Sequence, residues 1–224
     1  MKILIIEDET ELSRSIVKYL RKESYTCDVA YSFGEGLAKI DSFGYACIVL
    51  DISLPGGNGL QILKELKNEH KEDGVIVISA KGSLDDKIAG LKLGADGDLA
   101  KPFHLSELCA RIGSIIRRKQ FHGNNTIVIN ELSIDLDART VSVHNTELDL
   151  TKKESDLLLY LVSNKNRVIS KNAIAENLSG DSAELYDNFD FIYAHMKNLK
   201  KKLAAAGCAD YIKSIYGMGY KFTI

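Results

Sequence analysis

The stretch "ILIIEDE", residues 3–9, places four apolar residues directly before three consecutive carboxylates, Glu7, Asp8 and Glu9. A short apolar run without alternation reads as a strand buried on both faces, the pattern of a parallel sheet covered by helices. Two carboxylates about 4 Å apart repel by roughly 4 kcal/mol at an effective dielectric near 20. A buried strand that stops on such a cluster therefore calls for a positive group among the acids.

The next hundred or so residues supply the frame. A helical pattern with Leu12, Ile16, Val17 and Leu20 on one face leads to a strand over 27–30, a short helix over 34–41 and the strand "ACIVL" over 46–50. A helix over 59–68, the strand "VIVIS" over 75–79, a helix over 84–93, a short strand ending at Ala100 and a helix over 105–119 follow. Apolar strands separated by single helices predict an α/β, doubly wound, five-stranded parallel sheet, whose ligands bind at the carboxyl ends of the strands. Glu7 and Asp8 follow the first strand, Asp51 the third and Lys101 the fifth, while Ser79 ends the fourth. These groups therefore converge on one edge.

Three carboxylates are hard oxygen ligands suited to Mg²⁺. Asp51 can then act as a nucleophile that forms an acyl phosphate, with Lys101 and the Ser79 hydroxyl meeting the phosphoryl oxygens and the small Ala80 leaving the approach open. Taken singly, Asp8 reads as a helix cap, Ser79 as a turn residue and Lys101 as a solvated charge. Their coincidence at four strand ends outweighs those readings.

The motifs "IIEDE", "LDISLPGGNG", "ISA" and "AKPF", in this order and at these separations, resemble the receiver domain of two-component response regulators across the whole first half. The resemblance implies that Asp51 accepts a phosphoryl group from a histidine kinase. It also implies that Glu7, Asp8, Asp51 and the backbone carbonyl of Ser53 hold Mg²⁺, and that Ser79 and Lys101 contact the phosphoryl oxygens. Such receivers normally carry Tyr or Phe three residues before the lysine; here Asp98 stands there. A carboxylate does not turn inward as a ring does without a large desolvation cost. Members of the family pair receivers through the fourth helix, fifth strand and fifth helix. On that pattern Lys87 meets Glu107 and Asp96 meets Arg111 across a homodimer, with Gly97 replacing an acid often found there.

From Gln120 the texture changes. Residues 1–119 form the receiver, 120–126 a polar linker and 127–224 a second domain of α+β type. "IVINELSIDLDARTVSVHNTELDL" alternates apolar and polar residues and predicts an antiparallel meander. "TKKE", residues 151–154, is a capping box before "LLLYL", and Ser170 is placed to cap the next helix. In a third helix over 189–206, Phe189, Ile192, Met196, Leu199 and Leu203 form one apolar stripe, which leaves Ala194, Lys197, Asn198 and Lys201 outward. His195 and Lys202 flank that face, and Lys200 lies nearer the core and must snorkel. For "KNLKKK" alone a solvated face is the simpler reading. The glycine hairpin "IKSIYGMGYKF" tips the balance towards a duplex groove, where Lys meets phosphate or guanine and Asn pairs with adenine.

"LTKKESDLLLYL", "NRVIS", "HMKNLKKKL" and "IKSIYGMGYKF" together resemble the winged-helix effector of the OmpR/PhoB family. The resemblance implies DNA contacts from His195, Lys197, Asn198, Lys200, Lys201, Ser214 and Tyr216, the last standing where the family's wing carries Arg.

Composition narrows the classes. Hydrophobic residues at 45% with 27% charged describe a globular chain, and no apolar run approaches a membrane span. The acidic start lacks a signal-peptide pattern, so a cytoplasmic location is expected. Cys27, Cys47, Cys109 and Cys208 are scattered without a CxxC pair, so neither disulfide nor zinc is expected. The first 119 residues carry 17 basic against 18 acidic residues and the remainder 12 against 13, so DNA binding must rest on local clustering. One effector should bind weakly and with modest salt dependence, and pairing on adjacent half-sites would raise the affinity.

The expected function is a transcription regulator, not an enzyme, in which Mg²⁺-dependent phosphorylation of Asp51 controls dimerisation and binding to double-stranded DNA. Its partners are a histidine kinase, DNA, a second copy and, as a further candidate, RNA polymerase, with no membrane. The alternative, suggested by Asp98, is a regulator of the same fold that dimerises and binds DNA without phosphate. An aspartate-nucleophile phosphatase would need a second acid two residues after Asp51, where Ser53 stands, and an RNA-binding output fits a wing and basic helix less well.

Overall fold

A computed structural model describes residues 1–80, 84–121, 123–179 and 189–224 of the chain, which divides into two compact units, 2–122 and 123–224. In the first, β1 (Lys2–Ile6), α1 (Thr10–Lys22), β2 (Thr26–Ala30), α2 (Phe33–Ser42) and β3 (Cys47–Asp51) come in order. A two-residue hairpin, β4 (Ser53–Leu54) and β5 (Gly57–Asn58), leads into α3 (Gly59–Asn68). Then follow β6 (Gly74–Ser79), α4 (Leu84–Lys92), β7 (Gly97–Ala100) and α5 (Leu105–Phe121).

The five long strands form one parallel sheet in the order β2-β1-β3-β6-β7. β1 lies second from one edge, and Ile3, Leu4, Ile5 and Ile6 are completely buried. Each such side chain stabilises the fold by about 1.5–3 kcal/mol relative to its exposed state. Leu4, Ile6, Ile48, Leu50, Val75 and Val77 pack on Ile62, Leu63 and Leu66 of α3. α1 and α5 contact each other, bringing the buried Ile16, Leu20, Ile112 and Ile116 to the opposite face. With both faces covered, the open ground is the edge where the strands end.

One feature of this unit is silent in the sequence pattern. Lys2 and Asp28, on adjacent strands, are 4% and 1% exposed and form an ion pair at 2.5 Å. The Tyr45 hydroxyl donates to the same Asp28 oxygen at 3.0 Å, and the ammonium lies 4.5 Å from the centre of the Phe43 ring. The Tyr45 ring lies 5.4 Å from the same ammonium, so two aromatic rings from the segment after α2 cover the pair.

The second unit begins with β8 (Thr126–Ile129), β9 (Leu132–Asp135), β10 (Thr140–Val143) and β11 (Thr146–Glu147), an antiparallel meander in the order β11-β10-β9-β8. α5 continues through Phe121, so only a few residues separate it from β8. α6 (Lys152–Ser163) starts on the expected capping box, with Thr151 Oγ1 accepting from the Glu154 N–H at 3.4 Å and Glu154 Oε2 accepting from the Thr151 N–H at 2.8 Å. β12 (Val168–Ser170), α7 (Lys171–Ser179), α8 (Asp190–Ala205), β13 (Ile212–Ile215) and β14 (Gly219–Phe222) complete it. The Ser170 hydroxyl accepts from the Ala173 N–H at 3.1 Å, capping α7 as its position suggested.

The last sheet has three strands, β12-β14-β13. β12 is too short to show a period, and it exists because Ile169 and Ser170 pair with Tyr220 and Gly219. Gly219 has φ +149°, and a Cβ there would meet the Ile169 carbonyl oxygen at 1.9 Å, so the third strand requires glycine. Glu131, in the turn between β8 and β9, accepts from the Ala209 N–H at 2.6 Å and the Tyr211 hydroxyl at 3.0 Å. These bonds clamp the segment that joins α8 to β13.

Two outcomes follow from these polar anchors. Asp28→Ala leaves the Lys2 ammonium buried and unpaired, and the urea unfolding midpoint of the first unit should fall by the equivalent of about 3–5 kcal/mol; an unchanged midpoint would contradict the pair's role. The Ala209 amide and, with a smaller effect, the Tyr211 hydroxyl hold the Glu131 carboxyl down to about 2. Its contribution is complete above the usual carboxylate range and is lost as pH falls from there towards about 2. Urea midpoints of the second unit at pH 7 and pH 3 should therefore differ less in Glu131→Gln than in the native chain.

Candidate functional site

Four strand ends deliver the acidic site. The carboxylates of Glu7, Asp8 and Asp51 offer oxygens that all lie within 4.8 Å of one another, with Glu7 and Asp51 buried and Asp8 exposed. The cation demanded by that crowding is Lys101, whose Nζ lies 2.6 Å from Asp51 Oδ2 and 3.0 and 2.9 Å from the two oxygens of Glu7. Burial raises the Glu7 carboxyl above its ordinary range, its bond to Lys101 opposes this, and the Asp51 charge adds to the rise. Burial also pulls the Lys101 ammonium down, but its hydrogen bonds to Asp51 and Glu7 outweigh that and leave it raised, hence charged at neutral pH.

The backbone fixes each participant. The Ser53 N–H donates to Asp51 Oδ1 at 2.9 Å, which leaves Oδ2 for Lys101. Gly59, the first residue of α3, passes so close beneath Asp51 that a Cβ would sit 2.0 Å from the Asp51 carbonyl oxygen. Sequence reading assigned Gly59 no role beyond starting the helix. Asp51 is level with Ile78 in the β3/β6 register, which sets the buried Ser79 one residue further on. The Lys101 N–H donates to the Ser79 carbonyl at 2.8 Å, so the hydroxyl and ammonium residues are tied through their main chains.

Three carboxylates against one ammonium leave an excess of two negative charges. Glu7 Oε2 is buried and accepts no hydrogen bond, despite the nearby ammonium. An oxygen-rich site with an unsatisfied buried acceptor and two unbalanced charges fits a hard divalent cation such as Mg²⁺.

Asp98 points away from this pocket. Its carboxylate pairs with Lys87 of α4 at 2.9 Å. Glu107 and Arg111 bond to each other one turn apart on α5 at 2.8 Å, while Asp96 holds Lys119 at 3.2 Å and accepts from the Val75 N–H at 2.9 Å. All four residues expected at a dimer face thus have partners within their own chain. The same face carries an exposed apolar row, Leu84, Ile88 and Leu91, along α4.

In the second unit, Ala194, Lys197, Asn198 and Lys201 are exposed on α8, as the spacing predicted. His195 is half-buried, with its ring edge-on to Phe191. Lys200 turns aside, donating to the Ile212 carbonyl at 2.8 Å and facing Asp210 at 3.1 Å. Lys202 donates to Glu154 Oε2 at 2.8 Å and so joins the cap of α6. Burial pushes the Glu154 carboxyl up, but the bonds from Lys202 and Thr151 bring it below its ordinary range. Ser214 is exposed, and Tyr216 stands fully clear of the hairpin at 102% relative exposure. Met218, which the sequence reading left unassigned, is 61% exposed beside it; its place one residue past Gly217 in the turn was the available signal.

A doubly wound sheet with three acids and a lysine at its edge, joined to a helical unit with a β-hairpin wing, defines a receiver coupled to a winged-helix effector. Residues 3–113 match the family model of the response regulator receiver domain, and residues 145–222 that of the transcriptional regulatory protein, C terminal. The response regulator ArlR of Staphylococcus saprophyticus is 40% identical over 219 residues, covering 98% of this chain and 97% of that protein. The ArlR of Staphylococcus haemolyticus is 38% identical over 218 residues, covering 97% of each. Among solved structures, a Francisella response regulator receiver domain is similar at 32% identity and a TM-score of 0.50, over 52% of this chain and 97% of that one. A CheY-like receiver protein from Methanospirillum hungatei is similar at 29% identity and a TM-score of 0.52, over 55% and 98%. The chain belongs to the two-component response regulators, in the OmpR/PhoB group that joins a receiver to a DNA-binding domain.

Lys101→Met would leave Glu7 and Asp51 facing each other without a counter-charge. Its thermal midpoint without divalent ions should lie below the native one, and saturating Mg²⁺ should raise it by more than it raises the native midpoint. Equal increments would mean that lysine and cation do not share one field.

Proposed function

We propose that this response regulator is switched by phosphorylation of Asp51, and that the switch controls pairing of its receivers and binding of its winged helices to double-stranded DNA. The observation that carries the reading is the placement of Asp51 Oδ2, 2.6 Å from the Lys101 ammonium at the end of a buried strand. The donor is a phosphohistidine of a histidine kinase. Asp51 Oδ2 attacks phosphorus, the P–O bond forms as the P–N bond breaks, and the imidazole leaves and takes up a proton. Lys101 and the Ser79 hydroxyl meet the oxygens of the transferred group. Glu7, Asp8, Asp51 and the Ser53 carbonyl would hold Mg²⁺, which when bound offsets negative charge on the phosphoryl oxygens.

The exposed row Leu84, Ile88 and Leu91 supports pairing through α4, β7 and α5, since an apolar stripe on a monomer face is normally covered in use. Lys87 to Glu107 and Asp96 to Arg111 bridges across that face would form at the expense of bonds now made within the chain. Lys197, Asn198 and Lys201 present the groove-reading face, with Ser214 and Tyr216 on the wing. The acidic site, effector and absence of a membrane-length apolar helix among the described residues support a cytoplasmic place of action. RNA polymerase remains a further partner on this reading.

The ion pair of Asp98 with Lys87 favours a second reading, in which receivers pair without phosphate. Acetyl phosphate with Mg²⁺ should add one phosphoryl mass to the native chain and none to Asp51→Asn, with a shift from monomer to dimer on sizing. A dimer of the same size before and after the donor would select the second reading, and an unmodified native chain would count against the switch.

A further inference from the structure

We propose that Lys171 and Tyr193 together form a binding site for a DNA backbone phosphate, on the flank of α8 that faces the wing sheet; this rests on the reading of the second unit as a duplex binder. Lys171 opens α7 immediately after β12, whose Ile169 and Ser170 pair with Tyr220 and Gly219 of β14. The start of α7 is thereby fixed beside the turn end of the hairpin, where Gly219 pairs with Ile215. Lys171 Nζ is hydrogen-bonded to the Tyr193 hydroxyl and lies 4.8 Å from the centre of its ring. A long cationic side chain that would otherwise sweep through solvent is held on one phenol.

The position suits a phosphate between two grooves. Tyr193 is 44% exposed and stands one and two turns before Lys197 and Lys201. Residues four apart lie about 6 Å apart along a helix axis, so the held ammonium continues a row of cations towards the wing. By contrast, Lys200, Lys202 and Lys213 rest against Asp210, Glu154 and Asp210, which neutralise them.

The donor chemistry also points to phosphate. The phenol oxygen accepts from the ammonium, so its own proton is turned outward, and the ammonium keeps two further N–H groups. The pair thus presents mainly donors, with one full positive charge, which suits the anionic oxygens of a phosphate better than a base edge. A contact of this kind adds affinity for any duplex sequence and increases its salt dependence.

The test uses the full chain and a fluorescent duplex, with affinity measured across a series of salt concentrations. Lys171→Gln should reduce the slope of log K against log salt by about 0.9, equally for selected and random sequences, because one counterion fewer is released. Lys171→Arg should restore the slope. Tyr193→Phe, which keeps the cation, should weaken binding at every salt concentration with little change of slope. Thermal midpoints of the variants should match the native value, since both side chains are at the surface. A native slope in Lys171→Gln, with native chain binding intact, would overturn this site alone; a native chain with no duplex affinity would overturn the DNA-binding reading and the site with it.

Discussion

The receiver's function turns on one ammonium placed among carboxylates that would otherwise drive one another apart. Lys101 reaches Asp51 and both oxygens of Glu7 at 2.6–3.0 Å. It does so only because β1, β3 and β7 end on the same edge of one parallel sheet. The arrangement is nonetheless undercharged, which separates it from a purely structural ion pair. A structural pair reaches neutrality within the chain, as Lys2 and Asp28 do. The edge site keeps three carboxylates against one ammonium, an excess of negative charge that a further cation can offset.

The frame and the acidic site were legible because their signals are local and periodic. The apolar runs before Glu7, Asp51, Ser79 and Lys101 mark strand ends directly, and the sheet rule converts them into a place. The outward face of α8 was legible for the same reason, its apolar stripe leaving Lys197, Asn198 and Lys201 to solvent. Features that depend on which segments meet were not legible. Lys2 and Asp28 are 26 positions apart and only the pairing of β1 with β2 joins them. β12 has no period of its own and is defined by β14. Lys87 finds Asp98, and Lys200 finds Ile212 and Asp210, through packing that no spacing encodes.

The two units use charge differently. In the receiver, the buried charges form two separate groups, the closed Lys2–Asp28 pair within the sheet and the acid-rich cluster at its edge. In the effector, several lysines are already engaged. Lys202 strengthens the α6 cap and Lys200 braces the start of β13, which leaves Lys197 and Lys201 exposed on the outward face of α8. In a unit without a basic excess, the acids Asp210 and Glu154 are thus engaged by the flanking lysines, away from that outward face.

The bond from the Ser53 amide to Asp51 Oδ1 has a chemical consequence. It desymmetrises the carboxylate: one oxygen is pinned by the main chain, while the other faces an ammonium that can swing away on its four-carbon stem. On the proposed switch the acyl phosphate forms at that single oxygen, and the lysine it displaces meets new anionic oxygens on the incoming group. The choice of atom is then the result of a single peptide N–H.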